Sequence, residues 1–146
     1  MTDLRELYQE VIIDHGRRPR NFGPLADANR MAEGFNPLCG DRLTLYLKVE
    51  DGVIRAARFD GAGCAISTAS ASLMTEALTG RTEAEAEALF AAFHGLVTDG
   101  PGVADLGKLA VLAGVRAYPS RIKCATLAWH TLHAALAGQA RPATSE

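Results

Sequence analysis

A chain of 146 residues, 48% hydrophobic and 22% charged, has the size and composition of one soluble domain with a real core. Its 15 basic and 17 acidic residues leave a net charge of −2, which argues against nucleic acid as the main partner. No apolar run approaches the length of a membrane span, the charged start Met1-Thr2-Asp3-Leu4-Arg5-Glu6 lacks the apolar core of a secretory signal, and an odd count of three cysteines points to reduced thiols in the cytoplasm, with no membrane partner.

Leu4, Leu7, Tyr8, Val11 and Ile12 recur at helical spacing and predict an amphipathic helix from residue 3 to about 14. A basic loop rich in turn residues, His15 to Pro24, follows. From Arg42 to Glu50 the alternation is unbroken, with Leu43, Leu45, Leu47 and Val49 on one face and Thr44, Tyr46 and Lys48 on the other. Asp51-Gly52 is a two-residue hairpin signal, because a type I′ turn needs positive φ at both positions. The return strand runs from Val53 to about Asp60, and the differing parity of Ile54 and Phe59 predicts a bulge or burial on both faces.

After Cys64 the pattern turns helical, with Leu73, Met74, Ala77 and Leu78 sharing a face and Gly80 as the stop. Thr82-Glu83-Ala84-Glu85 is a capping box that opens a helix carrying Leu89, Phe90 and Phe93. Asp99-Gly100-Pro101-Gly102 reads as a loop, and Leu106, Leu109, Ala110 and Leu112 as a short helix ended by Gly114. Tyr118-Pro119-Ser120 starts the last helix, which runs to about Gly138. Neither a repeat nor a linker divides the chain, so residues 1–138 form a single domain and 139–146 a disordered tail. The expected class is α+β, a small antiparallel sheet with helices on its apolar face.

The three cysteines each fall where irregular and regular structure meet. Cys39 and Asp41 are joined by one glycine, which permits a tight bend round one ion. Cys64 closes the turn Gly61-Ala62-Gly63 at a helix start, where free amides favour a thiolate. Cys124 lies in the first turns of the last helix beside Arg121 and Lys123. Three thiolates and a carboxylate match tetrahedral zinc or an iron–sulfur corner. Such a set leaves excess negative charge on a divalent ion, and Arg42, Arg121 and Lys123 are the candidates to offset it. The harder oxygen of Asp41 should make the site exchange a ligand more readily than an all-sulfur one, which favours thiol-based sulfur chemistry over a passive staple.

Four motifs in order resemble the IscU/NifU-like family of iron–sulfur cluster assembly over about residues 4 to 136. They are Pro19-Arg20-Asn21-Phe22-Gly23, Asn36-Pro37-Leu38-Cys39-Gly40-Asp41-Arg42, Gly61-Ala62-Gly63-Cys64, and Arg121-Ile122-Lys123-Cys124-Ala125-Thr126-Leu127-Ala128-Trp129. The resemblance implies a three-stranded antiparallel sheet backed by helices, with Cys39, Asp41, Cys64 and Cys124 as metal ligands. Lys123, in the place of a histidine in scaffold-type members, and the extra segment from Thr82 to Gly102 make the SufU branch the nearest. That branch implies zinc-dependent sulfur transfer, from a SufS-like cysteine desulfurase to the SUF assembly scaffold, with Cys39 as persulfide acceptor. The scaffold branch implies instead a nascent [2Fe-2S] cluster, or iron, on the same residues and Cys124 as acceptor. A zinc-stabilised binding module without sulfur chemistry is the third alternative. His130 and His133 read as a solvated helix face, His15 as a docking or structural residue, Arg17, Arg18 and Arg20 as a protein-docking patch, and Trp129 as a core anchor.

Overall fold

The chain's hydrophobic patterning resolves, in a computed structural model, into α1 (Leu4–Arg17), β1 (Arg30–Asn36), β2 (Asp41–Glu50), β3 (Val53–Ala62), α2 (Ala65–Leu78), α3 (Glu83–Val97), α4 (Pro119–Ala137) and β4 (Ala143–Thr144). The structure describes residues 4–37, 40–98, 109, 112, 115, 118–138 and 143–144. β2 is central, antiparallel to β1 on one side and to β3 on the other. This is the expected α+β architecture of three antiparallel strands. Ala143 and Thr144, inside the segment expected to be disordered, add a two-residue parallel pairing on the far side of β1.

Strand parity decides which side chains meet the helices. Leu43, Leu45, Leu47 and Val49 are buried, and their neighbours on β2 face outward. The hairpin turns through Asp51 at φ 53° and Gly52 at φ 74°, both in the left-handed region a type I′ turn requires. The register shifts between Lys48 and Val49: Val49 faces Ile54, while Lys48 faces Ala56. Arg55 is thus the extra residue of a bulge, and it restores Ala57 and Phe59 to the buried side.

α2 and α4 pack side by side on that buried face, with α1 against α2 and α3 against α4. Leu45, Leu47, Ile54, Met74, Leu78, Phe93, Leu127, Trp129 and Leu132 fill the core between them. Trp129 is the anchor expected of it: its ring stacks on Phe93 at 4.6 Å, and its indole N–H donates to Ser70 Oγ at 3.2 Å. The Thr82 capping box forms as expected, with Glu85 N–H donating to Thr82 Oγ1 at 3.1 Å and Thr82 N–H donating to Glu85 Oε1 at 2.9 Å.

The expected end of the first helix is corrected. Helix α1 continues through His15, Gly16 and Arg17, which were expected in the loop. Tertiary contact sustains that extra turn: His15 is buried with its Nδ1 2.7 Å from Ser72 Oγ on α2, and at Gly16 the helices pass so close that a Cβ would sit 3.3 Å from the Ala65 Cβ. The basic loop beyond is also held. Arg20 pairs with Asp14 at 2.5 Å, and Asn21 and Gly23 bond the backbone of Phe59 along the outer edge of β3.

Strand β1 had no counterpart in the sequence reading. The loop from Asp99 to Gly102 and the helix expected from Leu106 to Gly114 lie outside the described residues, except that Leu109 and Leu112 are buried in the core together with Val115.

Candidate metal centre

Asp41 opens β2 with the same parity as Leu43, Leu45 and Leu47, so its carboxylate points under the helices and not into solvent. Cys64 caps α2, its Sγ accepting from the Ser67 amide at 3.4 Å. Cys124 lies in the second turn of α4, the face of which crosses β1. Three elements distant in sequence therefore deliver one oxygen and two sulfur donors, all within 4.8 Å of one another. Asp41 and Cys124 are buried and Cys64 is partly exposed, so the group opens to solvent on the Cys64 side.

The donors are held in place by hydrogen bonds. Asp41 Oδ1 accepts from the Cys64 amide at 2.9 Å. The buried Asn36 amide reaches both other parts of the group, donating to Asp41 Oδ2 at 3.3 Å and to Cys124 Sγ at 3.7 Å. Gly63 makes room for the carboxylate, since a Cβ there would stand 2.8 Å from Asp41 Oδ1. With both thiols deprotonated, these donors would gather negative charge at one point, which a bound cation would balance. Two sulfurs and one oxygen suit zinc or iron better than magnesium or calcium, which take oxygen ligands. The residues present fit such a metal.

Of the expected site residues, Asp41, Cys64 and Cys124 are brought together, and Cys39 lies outside the described residues. Gly40 beside it has φ 71°, the left-handed conformation the tight Cys39-Gly40-Asp41 bend was expected to need. Arg121 and Lys123 flank Cys124 on the first turns of α4, Arg121 exposed and Lys123 half-buried. Arg42 is not brought to the donors. Its parity is opposite to that of Asp41, so it is exposed on the open face of the sheet, where it lines a cavity of about 490 Å3 with Glu33, Phe35 and Thr44. Asn36 was missed as a site residue. It ends a strand whose alternation is weak, and an amide carries no ligand signature of its own.

An α+β domain presenting a mixed thiol–carboxylate group where strand, helix start and helix meet defines a small metal-binding class. The chain belongs to the NifU-like N-terminal domain family, whose model matches residues 7–138. It is 41% identical to the iron-sulfur cluster assembly scaffold protein IscU of Streptococcus pyogenes serotype M1, over 93% of this chain and 86% of that protein. It is 40% identical to the zinc-dependent sulfurtransferase SufU of Bacillus subtilis strain 168, over 93% of each chain. The crystal structure of FiSufU from Fervidobacterium islandicum AW-1, described as a candidate cluster assembly scaffold for the SUF system, superposes with a TM-score of 0.85 at 32% identity, covering 92% of this chain and 99% of that one. Among the described residues no helix is long and apolar enough to cross a membrane.

Proposed function

We propose that this protein works in iron–sulfur cluster assembly as a zinc-dependent sulfur-transfer protein. It accepts persulfide sulfur from a SufS-like cysteine desulfurase and passes it to a SUF assembly scaffold. The observation that carries the reading is the convergence of Asp41, Cys64 and Cys124 into one mixed donor group. Lys123 supports it, since the family resemblance implies a histidine at this place in scaffold-type members. An ammonium is no ligand, but it can offset negative charge.

In this reading Cys39 completes the donor set, an assignment that rests on its motif with Gly40 and Asp41. Bound zinc would keep the cysteine sulfurs unprotonated. The chain's own chemistry is thiol–persulfide exchange. The Cys39 thiolate attacks the outer sulfur of the desulfurase persulfide, and a new S–S bond forms on Cys39 as the old one breaks. The electron pair leaves with the desulfurase cysteine as thiolate, so no oxidant is consumed. Delivery repeats the exchange with an acceptor thiolate as nucleophile. Asn36 fixes the orientation of Asp41 throughout, and the exposed side at Cys64 gives the partner its approach.

Incubation with a SufS-type desulfurase and cysteine, followed by peptide mass spectrometry, tests this. One added sulfur on Cys39, lost in Cys39→Ser, is the expected result. Sulfur mapped to Cys124 with Cys39 unmodified overturns it. A second reading, a scaffold that holds a nascent [2Fe-2S] cluster as cargo, is favoured by the equal likeness to an IscU-named relative. It requires a brown protein with iron and sulfide after anaerobic reconstitution, and Lys123→His would then add little to cluster retention.

A further inference from the structure

Three of the chain's four histidines gather away from the thiols, on a second surface made by α3 and α4. His94 comes from the last turn of α3, and His130 and His133 lie one turn apart on α4. With Glu87, Phe90 and Ala91 they line an open cavity of about 460 Å3. The imidazoles surround the Phe90 ring, with centroids at 5.3 Å for His130, 6.2 Å for His94 and 6.3 Å for His133. His94 and His130 are 6.4 Å apart, across the two helices. His130 is partly buried, which is not the solvated helix face expected from its spacing alone.

One of the three is already arranged as a ligand. His133 Nδ1 lies 3.0 and 3.1 Å from the two Glu87 carboxylate oxygens. An ionised carboxylate only accepts, so Nδ1 carries a proton, and it is the neutral form of the ring that offers the Nε2 lone pair to a metal. A carboxylate holding the far nitrogen of an imidazole is the usual outer support of a metal-binding histidine. Burial, together with the neighbouring His94 and His133, lowers the pKa of His130 and favours its neutral ring.

We propose that His94, His130 and His133 form a second divalent-metal site, for a borderline transition ion such as Zn2+, with Glu87 as the positioning residue of His133. Imidazole donors suit such ions, whereas Mg2+ and Ca2+ would find one carboxylate where they need several oxygens. The ring nitrogens are not gathered within ligand distance in this structure, and rotation of the side chains within the open cavity would have to bring them onto one ion. The site is separate from the thiol group: Cys124 and His130 are six residues apart on α4, about 9 Å along its axis. A metal held there ties α3 to α4.

Untagged protein, brought to one zinc per chain by dialysis, is titrated with further Zn2+ by calorimetry, with imidazole 15N spectra recorded alongside. The wild type should take up one more equivalent with shifts at all three histidines. His94→Ala/His130→Ala should weaken that uptake at least 100-fold, and half-exposed His133→Gln should weaken it with the fold intact by circular dichroism. Glu87→Gln should weaken it about 10–100-fold and alter the tautomer-sensitive 15N signals of His133, which a merely structural role would leave unchanged. Absence of the second equivalent in the wild type below millimolar zinc, or undiminished uptake in the double variant, overturns the proposal.

Discussion

Asp41 and Arg42 are adjacent, yet one meets the thiols and the other faces the open side of the sheet. Strand parity alone separates them. The donor residues were legible in the sequence because cysteine and aspartate at turns carry a chemical signature. Asn36 and His94 were not, for different reasons. Asn36 acts through its amide on two donors at once, and His94 matters only because α3 packs on α4 beside His130. Asn36 gives the sharpest test at this scale. Asn36→Ala removes the donor shared by Asp41 and Cys124 without touching a ligand. Zinc affinity, measured by competition with a chromophoric chelator, should fall about 10–100-fold. Gly63→Ala should act in the same direction by pushing a methyl against Asp41 Oδ1. Unchanged affinity in both would mean that the hydrogen-bonded frame does not tune the donors.

Elements with strong local patterning were readable, and those set by tertiary contact were not. β2, its turn and the capped α3 follow from alternation, Asp51-Gly52 and the Thr82 capping box. β1 inverts the usual signal: large Met31 and Phe35 are exposed, whereas small Ala32 and Gly34 are buried. The reason lies in α4, which crosses β1 so closely that a Cβ at Gly34 would collide with the Thr131 hydroxyl and crowd Leu127. Gly34→Ala should therefore destabilise the domain by about 1–3 kcal/mol, the usual range for overpacking. Thr82→Ala removes the hydroxyl that accepts the Glu85 amide and should cost about 1 kcal/mol. Urea unfolding followed by circular dichroism measures both. Equal, negligible losses would show that neither the α4–β1 approach nor the cap limits stability.

At the scale of the molecule, the donor group and the hydrophobic core are separate structures joined by the same elements. Leu45, Leu47, Ile54, Met74 and Trp129 are buried in a core cluster to which none of the donor side chains belongs, so the domain should stay folded when zinc is stripped. Asp41, Cys64 and Cys124, however, come from the start of β2, the start of α2 and the second turn of α4, so a metal bound by all three would join these elements. A metal bound only by the folded chain adds stability by mass action, about 4 kcal/mol when free zinc is 1,000 times its dissociation constant. For a domain of this size each kcal/mol moves the melting temperature by about 3 °C. Chelation should thus lower it by roughly 10 °C while the far-ultraviolet spectrum at 25 °C changes little. Cys64→Ser should melt low and respond weakly to chelator, because it has lost a donor. A wild type whose melting temperature is the same with and without chelator would show that these three elements are not joined through a metal.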